Sequence, residues 1–196
     1  MALVGGAALL VIGPMTYVRS AYSTSQYEPW DQPVEFDHRH HARDDGIQCL
    51  YCHSSAERSA NAGVPATAVC MGCHAQIWND SPMLEVVRRS YFSGQPINWR
   101  RVHQVPDFVY FNHSVHIARG LPCERCHGDV GRMARVVQVQ PLTMGWCLDC
   151  HRDPEQFIPR TEVPGNTFEA SESMFFKPVA KNRDITPLTT CTACHR

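Results

Sequence analysis

Residues 110–128 read YFNHSVHIARGLPCERCHG. Two histidines three residues apart, His113 and His116, come first; Cys123 and Cys126 follow, and His127 closes the run. Cys-x-x-Cys-His is the attachment signature of c-type haem. The two thiols bond the porphyrin edge, and the adjacent histidine becomes the first axial ligand of the iron. The second axial ligand has to come from elsewhere, and His113 and His116 are placed to offer it.

Working outward, the same signature takes up every cysteine of the chain. The ten cysteines form five runs: Cys49 and Cys52 with His53, Cys70 and Cys73 with His74, Cys123 and Cys126 with His127, Cys147 and Cys150 with His151, and Cys191 and Cys194 with His195. With 11 histidines in 196 residues, five successive pairs closed by histidine would arise by chance on the order of once in a million sequences. Zinc held by pooled Cys-x-x-Cys pairs leaves one pair over and does not explain the histidines. The expectation is five covalently bound haem c groups. That allots roughly 39 residues to each, near the size below which a chain rarely builds its own core. The haems must then be the core. The fold class expected is mainly α and irregular, with short helices, long loops and little or no sheet. Fourteen prolines and twelve glycines agree with it.

The chain also repeats. Phe36, His38 and His41 precede Cys49, as Phe111, His113 and His116 precede Cys123, in one pattern Phe-x-His-x-x-His. A second run follows each first one, at Cys70 and at Cys147, and each is preceded by a proline and a threonine, Pro65 with Thr67 and Pro141 with Thr143. The haem domain, residues 36–196, therefore reads as two-haem modules 36–74 and 111–151 with a fifth haem at 191–195. Residues three apart on a helix share a face, so one turn can reach two irons. His40 points off that face and reads as a surface residue. The phenylalanine ahead of each pair is expected to pack on a porphyrin.

The proximal ligands expected are His53, His74, His127, His151 and His195; His38, His41, His113 and His116 fill four distal positions. For the fifth, His103 competes with a methionine, Met144 or Met174. Methionine ligation would raise that haem's potential relative to a bis-histidine one.

Residues 2–18 carry no charge, a length at the lower limit for a membrane span. They lack the basic start and small-residue cleavage site of a signal peptide. Residues 1–19 are expected to form a transmembrane anchor and 20–35 a linker, with the haem domain on the periplasmic side of the inner membrane. The formal net charge of −1 suggests no nucleic-acid partner. Sixteen of the eighteen basic residues are arginine, whose planar fork suits propionates; Arg100, Arg101, Arg119, Arg125 and Arg152 are candidates. Trp30, Trp99 and Trp146 stack on haems or fill the core. Residues 81–89 have helical periodicity, with Met83, Leu84 and Val87 on one side.

Over nearly its whole length the chain resembles the membrane-anchored pentahaem cytochrome c subunit of alternative complex III, a bacterial quinol:electron-acceptor oxidoreductase. The likeness is carried by YVRSAYST, QPVEFDHRHH, CMGCHAQIW, VHQVPDFVYFNHSVH and LTMGWCLDCHR. It implies an electron-transfer subunit that is not itself the quinol site. It also implies an iron–sulfur subunit, polytopic quinol-oxidising membrane subunits and a monohaem cytochrome c as partners, and mostly bis-histidine haems. Two other classes compete. A multihaem reductase needs an open iron site, yet all five runs end in histidine. A small anchored quinol dehydrogenase would oxidise quinol without other subunits.

Overall fold

The computed structural model describes residues 2–157 and 186–195 of the chain. Met174 and most of the proline-rich arm after His151 lie outside these residues. The elements are short, as expected of a chain that is not its own core. Helix α1 spans Ala2–Tyr17 and α2 spans Ala21–Thr24. A π-helical turn covers Arg39–Asp44. Then come α3 (Cys49–Cys52), α4 (Thr67–His74), α5 (Glu85–Ser93), α6 (His113–Ala118), α7 (Glu124–His127), α8 (Met144–Arg152) and α9 (Cys191–Cys194), with 3-10 turns between several of them. Among the described residues, β-structure amounts to two isolated bridges, Gln26 with Gln138 and Val109 with His195.

The repeat is visible in the helices. The first attachment run of each module forms a single turn, α3 or α7, and the second lies on a longer helix, α4 or α8. The threonine before each second run has a structural task. Thr143 caps α8 by accepting from the Trp146 amide, satisfying one of the donors a helix start leaves open. Thr67 begins α4 and its hydroxyl meets that of Ser90 at 2.8 Å.

Few apolar side chains are buried: Val34, Ala56, Met71 and Val87 among the described residues. Three of them, Val34, Met71 and Val87, form one cluster where α5 packs against α4, with Leu84, Ile97 and Trp99 around it. Burying Val87 contributes about 1.5–3 kcal/mol, and the cluster braces the helix that carries Cys70 and Cys73. The periodicity at residues 81–89 is split: a 3-10 turn covers Pro82–Leu84 before α5 begins. Met83 consequently leaves the apolar face and is 56% exposed.

Helix α1 is apolar throughout and contains Pro14. Its 16 residues extend about 24 Å, short of the ~30 Å hydrocarbon layer. Among the described residues no helix is long and apolar enough to cross a membrane. The segment expected as a linker carries α2 and is pinned to Gln138 and Val139. The Gln26 side chain donates to the Val139 carbonyl at 2.8 Å, and the Tyr27 amide to the Gln138 carbonyl at 2.9 Å. Gln138, itself buried, donates back to the Thr24 carbonyl at 3.2 Å.

Candidate haem-attachment sites and axial ligands

Each histidine pair is built the same way. Phe36 stacks on His41 with ring centroids 4.4 Å apart and meets His38 edge-on at 4.7 Å. Phe111 stacks on His116 at 4.6 Å and meets His113 edge-on at 4.8 Å. The phenylalanine thus wedges between the two imidazoles and sets their orientation. The second histidine of each pair turns its Nδ1 to the backbone carbonyl four residues back: His41 to Asp37 at 3.1 Å and His116 to Asn112 at 2.7 Å. His113 instead reaches Ala60 at 2.8 Å, in the other module. Among the residues after the paired cysteines, His53 Nδ1 meets the Gly63 carbonyl at 2.9 Å, His74 that of Ile77 at 3.0 Å and His195 that of Phe108 at 3.3 Å. A carbonyl partner keeps the proton on Nδ1 and leaves the Nε2 lone pair for a metal.

The rings also pair across space. His41 and His74 have centroids 6.1 Å apart, His116 and His151 6.0 Å, and His113 and His127 6.3 Å. Two imidazoles on one metal at bonds of about 2 Å place their centroids roughly 6 Å apart, so these spacings fit an iron between each pair. Burial, with His53 and His41 nearby, pushes the pKa of His38 down to about 4. Its Nδ1 is buried without a hydrogen-bond partner, as is Nε2 of His103. A buried polar atom without a partner is costly. The residues present fit c-type haem attachment, with imidazole pairs at three of the Cys-x-x-Cys-His runs.

The modules interlock. Helix α6 packs on the 3-10 turn Ser54–Glu57 that follows His53, and the π-helical turn after His38 packs on the 3-10 turn Val130–Arg132 beyond His127. The amides of His113 and Ser114 donate to the carbonyls of Ala60 and Ser59. The cysteines follow suit. The thiol of Cys123 hydrogen-bonds with that of Cys49, which together with burial raises its pKa strongly. Burial raises Cys126 to about 11, with the Cys150 and Cys147 thiols nearby. Cys52 is raised by burial with Cys70 and Cys73 beside it, and Cys147 by burial with Cys194 beside it. No disulfide joins any of the ten cysteines.

The remaining expected residues fall out as follows. His103 meets His127 edge-on at 4.2 Å, and burial lowers it to about 4. Burial, with His103, His113 and His53 around it, lowers His127 to about 3. The ring that His195 meets is Phe108, at 5.7 Å. Met144 begins α8 and is 63% exposed. His40 is 68% exposed and pairs with Asp44 at 3.2 Å. Arg100 stacks on Trp30 at 3.6 Å, Arg125 lies over Phe157 at 4.6 Å, and Arg152 stands 3.9 Å from Asp149. Sequence reasoning missed the carbonyls of Ala60 and Gly63 and the buried Gln138. A backbone acceptor has no residue type to betray it, and a lone glutamine carries no pattern.

Residues 109–196 match the family model of cytochrome c7 and related cytochrome c. The chain is also 33% identical over 127 residues to a menaquinone reductase, multiheme cytochrome c subunit, of Nitratidesulfovibrio vulgaris (strain Hildenborough); the alignment takes in 63% of this chain. The chain spans 60% of the length of that curated relative. The family match takes in the last three Cys-x-x-Cys-His runs, and the cytochromes c it describes are similar to this part of the chain in carrying covalently bound c-type haem.

Proposed function

We propose that this chain is an electron-transfer subunit of a quinone-linked membrane complex, holding five covalently bound c-type haems. The observation that carries the reading is the recurrence of paired imidazoles about 6 Å apart, each pair including the histidine of a Cys-x-x-Cys-His run. Bound haem supplies a one-electron iron couple. The chain's own residues attach it through Cys49 and Cys52, Cys70 and Cys73, Cys123 and Cys126, Cys147 and Cys150, and Cys191 and Cys194. His38 with His53, His41 with His74, His113 with His127 and His116 with His151 would each hold one haem iron. His41, His53, His74, His113 and His116 are fixed through Nδ1, and irons held between paired imidazoles would pass electrons without binding a substrate. The chain is therefore a carrier and not the catalyst. The fifth distal ligand is assigned to a methionine, since the ring His103 meets is His127. Met144, on the helix whose Cys147 thiol stands beside that of Cys194, is the first choice and Met174 the second.

The partners that suit this reading are an iron–sulfur subunit, polytopic quinol-oxidising subunits and a monohaem cytochrome c, as in alternative complex III. Helix α1 is the anchor, its short span met by local thinning of the bilayer and packing against those subunits, with the haem domain on the periplasmic side. A second reading has a specific support: the relative is named a menaquinone reductase, which would run electrons towards quinone. Both are tested on the intact membrane complex. Mass spectrometry of the chain should show five haems. Added menaquinol should reduce them in the complex but not in the separated chain. Reduction of the separated chain would make it a quinol dehydrogenase, and electron flow only from a periplasmic donor to menaquinone would favour the second reading.

A further inference from the structure

We infer that the five attachment sites stand in space in the order Cys70–Cys73, Cys49–Cys52, Cys123–Cys126, Cys147–Cys150, Cys191–Cys194. This order differs from their order in the chain, and it rests on the haem-carrying reading above.

Each step has its own geometry. Within a module the histidine pair is the link. His41 faces His74 at 6.1 Å while His38, three residues earlier, stands by His53, so the first two sites share one turn of backbone. In the second module His113 faces His127 at 6.3 Å and His116 faces His151 at 6.0 Å from successive positions on α6. The modules meet through their first sites. Helix α6 packs on the turn after His53 and the π-helical turn packs on that beyond His127. The Cys49 and Cys123 thiols touch at this junction, and His113 hydrogen-bonds to Ala60 across it. The last site joins the far end. The Tyr110 amide donates to the Cys194 carbonyl at 2.8 Å, Val109 bridges His195, and Cys194 lies by Cys147.

The ends of the series are therefore the second and fifth runs of the chain. The first run is interior, although it comes earliest in the sequence. The N-terminal segment fastens beside the middle site: it bonds to Gln138 and Val139, and Val139 lies against Gly128, the residue after His127. Partner proteins exchanging electrons with this chain should engage the Cys70–His74 and Cys191–His195 ends. The first of these is flanked by exposed Ile77 and Trp78.

The test is an electron-microscopy structure of the haem-loaded full chain within its membrane complex, with inter-haem edge distances measured. The four consecutive pairs named above are expected to be the four shortest. Any non-consecutive pair closer than a consecutive one, such as the haems at Cys70 and Cys147, overturns the order. A solution readout uses the Cys191→Ala/Cys194→Ala variant. Electrostatic coupling falls with separation, so loss of that haem should shift the potential of the His151 haem most and that of the His74 haem least. The reverse ranking overturns the order. Five haems arranged otherwise would defeat only this inference, whereas fewer than five covalent haems would defeat the proposed function.

Discussion

The ring of Phe111 lies 4.6 Å from that of His116 and within 23° of parallel, and it stands edge-on to His113. Phe36 repeats both relations with His41 and His38. An aromatic pair of this kind adds about 0.5–1.5 kcal/mol beyond the area it buries. Phe111→Ala is expected to lower stability by about 1–3 kcal/mol and to broaden the low-spin electron paramagnetic resonance signals of two haems. Phe111→Leu should recover most of the melting temperature but not the sharp spectrum, because only the ring sets imidazole orientation.

His113→Ala and His116→Ala should each keep the haem count and convert one haem, a different one in each case, from low to high spin. The double variant should convert two. Visible and paramagnetic resonance spectra read this directly. A single variant that changes two haems, or none, would show that the pair does not serve separate irons.

Gly128 sits at φ +71°, and a Cβ there would lie 2.7 Å from Val139 Cγ2 and 3.3 Å from Met133 Cε. Only glycine takes this backbone region without strain. Gly128→Ala should cost roughly 1–3 kcal/mol, measured by thermal unfolding. Adding Val139→Ala relieves the clash but not the backbone strain, so partial recovery is expected.

Acid should unfold the protein within a definite window. His38 and His103 are held near 4 and His127 near 3 by burial and neighbouring imidazoles, against 6.5 for a free histidine. The unfolded chain therefore binds more protons than the folded one below about pH 6.5, so stability rises with pH through this range. It is fully present above about 6.5 and is lost as pH falls towards 4. Iron on His38 and His127 would push in the same direction, since metal competes with protons. Denaturant midpoints measured between pH 4 and 8 check the slope; a flat profile would mean these histidines are not held neutral.

What could be read in the sequence was whatever is local. Phe36, His38 and His41 match Phe111, His113 and His116 within six residues each, and the structure gives both triplets the same geometry. The helical turn expected for His38 and His41 is instead the start of a π-helix, while α6 begins at His113 itself. Periodicity cannot separate these two windings over so short a run. The interlocking of the modules was not legible. Its contacts join His113 to Ala60 and Cys49 to Cys123 across more than fifty residues, and they use backbone acceptors and thiols already claimed by a stronger signal. The pinning of the segment before Phe36 was hidden for the same reason, in Gln26 and Gln138.

The touching thiols of Cys49 and Cys123 bear on how this protein can be made. They belong to different attachment runs, and an oxidising compartment favours disulfides between close thiols. One stray bond between them would disable two runs at once and lock the modules together without their cofactors. Haem joined to the first run before residue 123 folds back against it would leave no thiol for that bond, so the order of attachment bears on reaching this architecture.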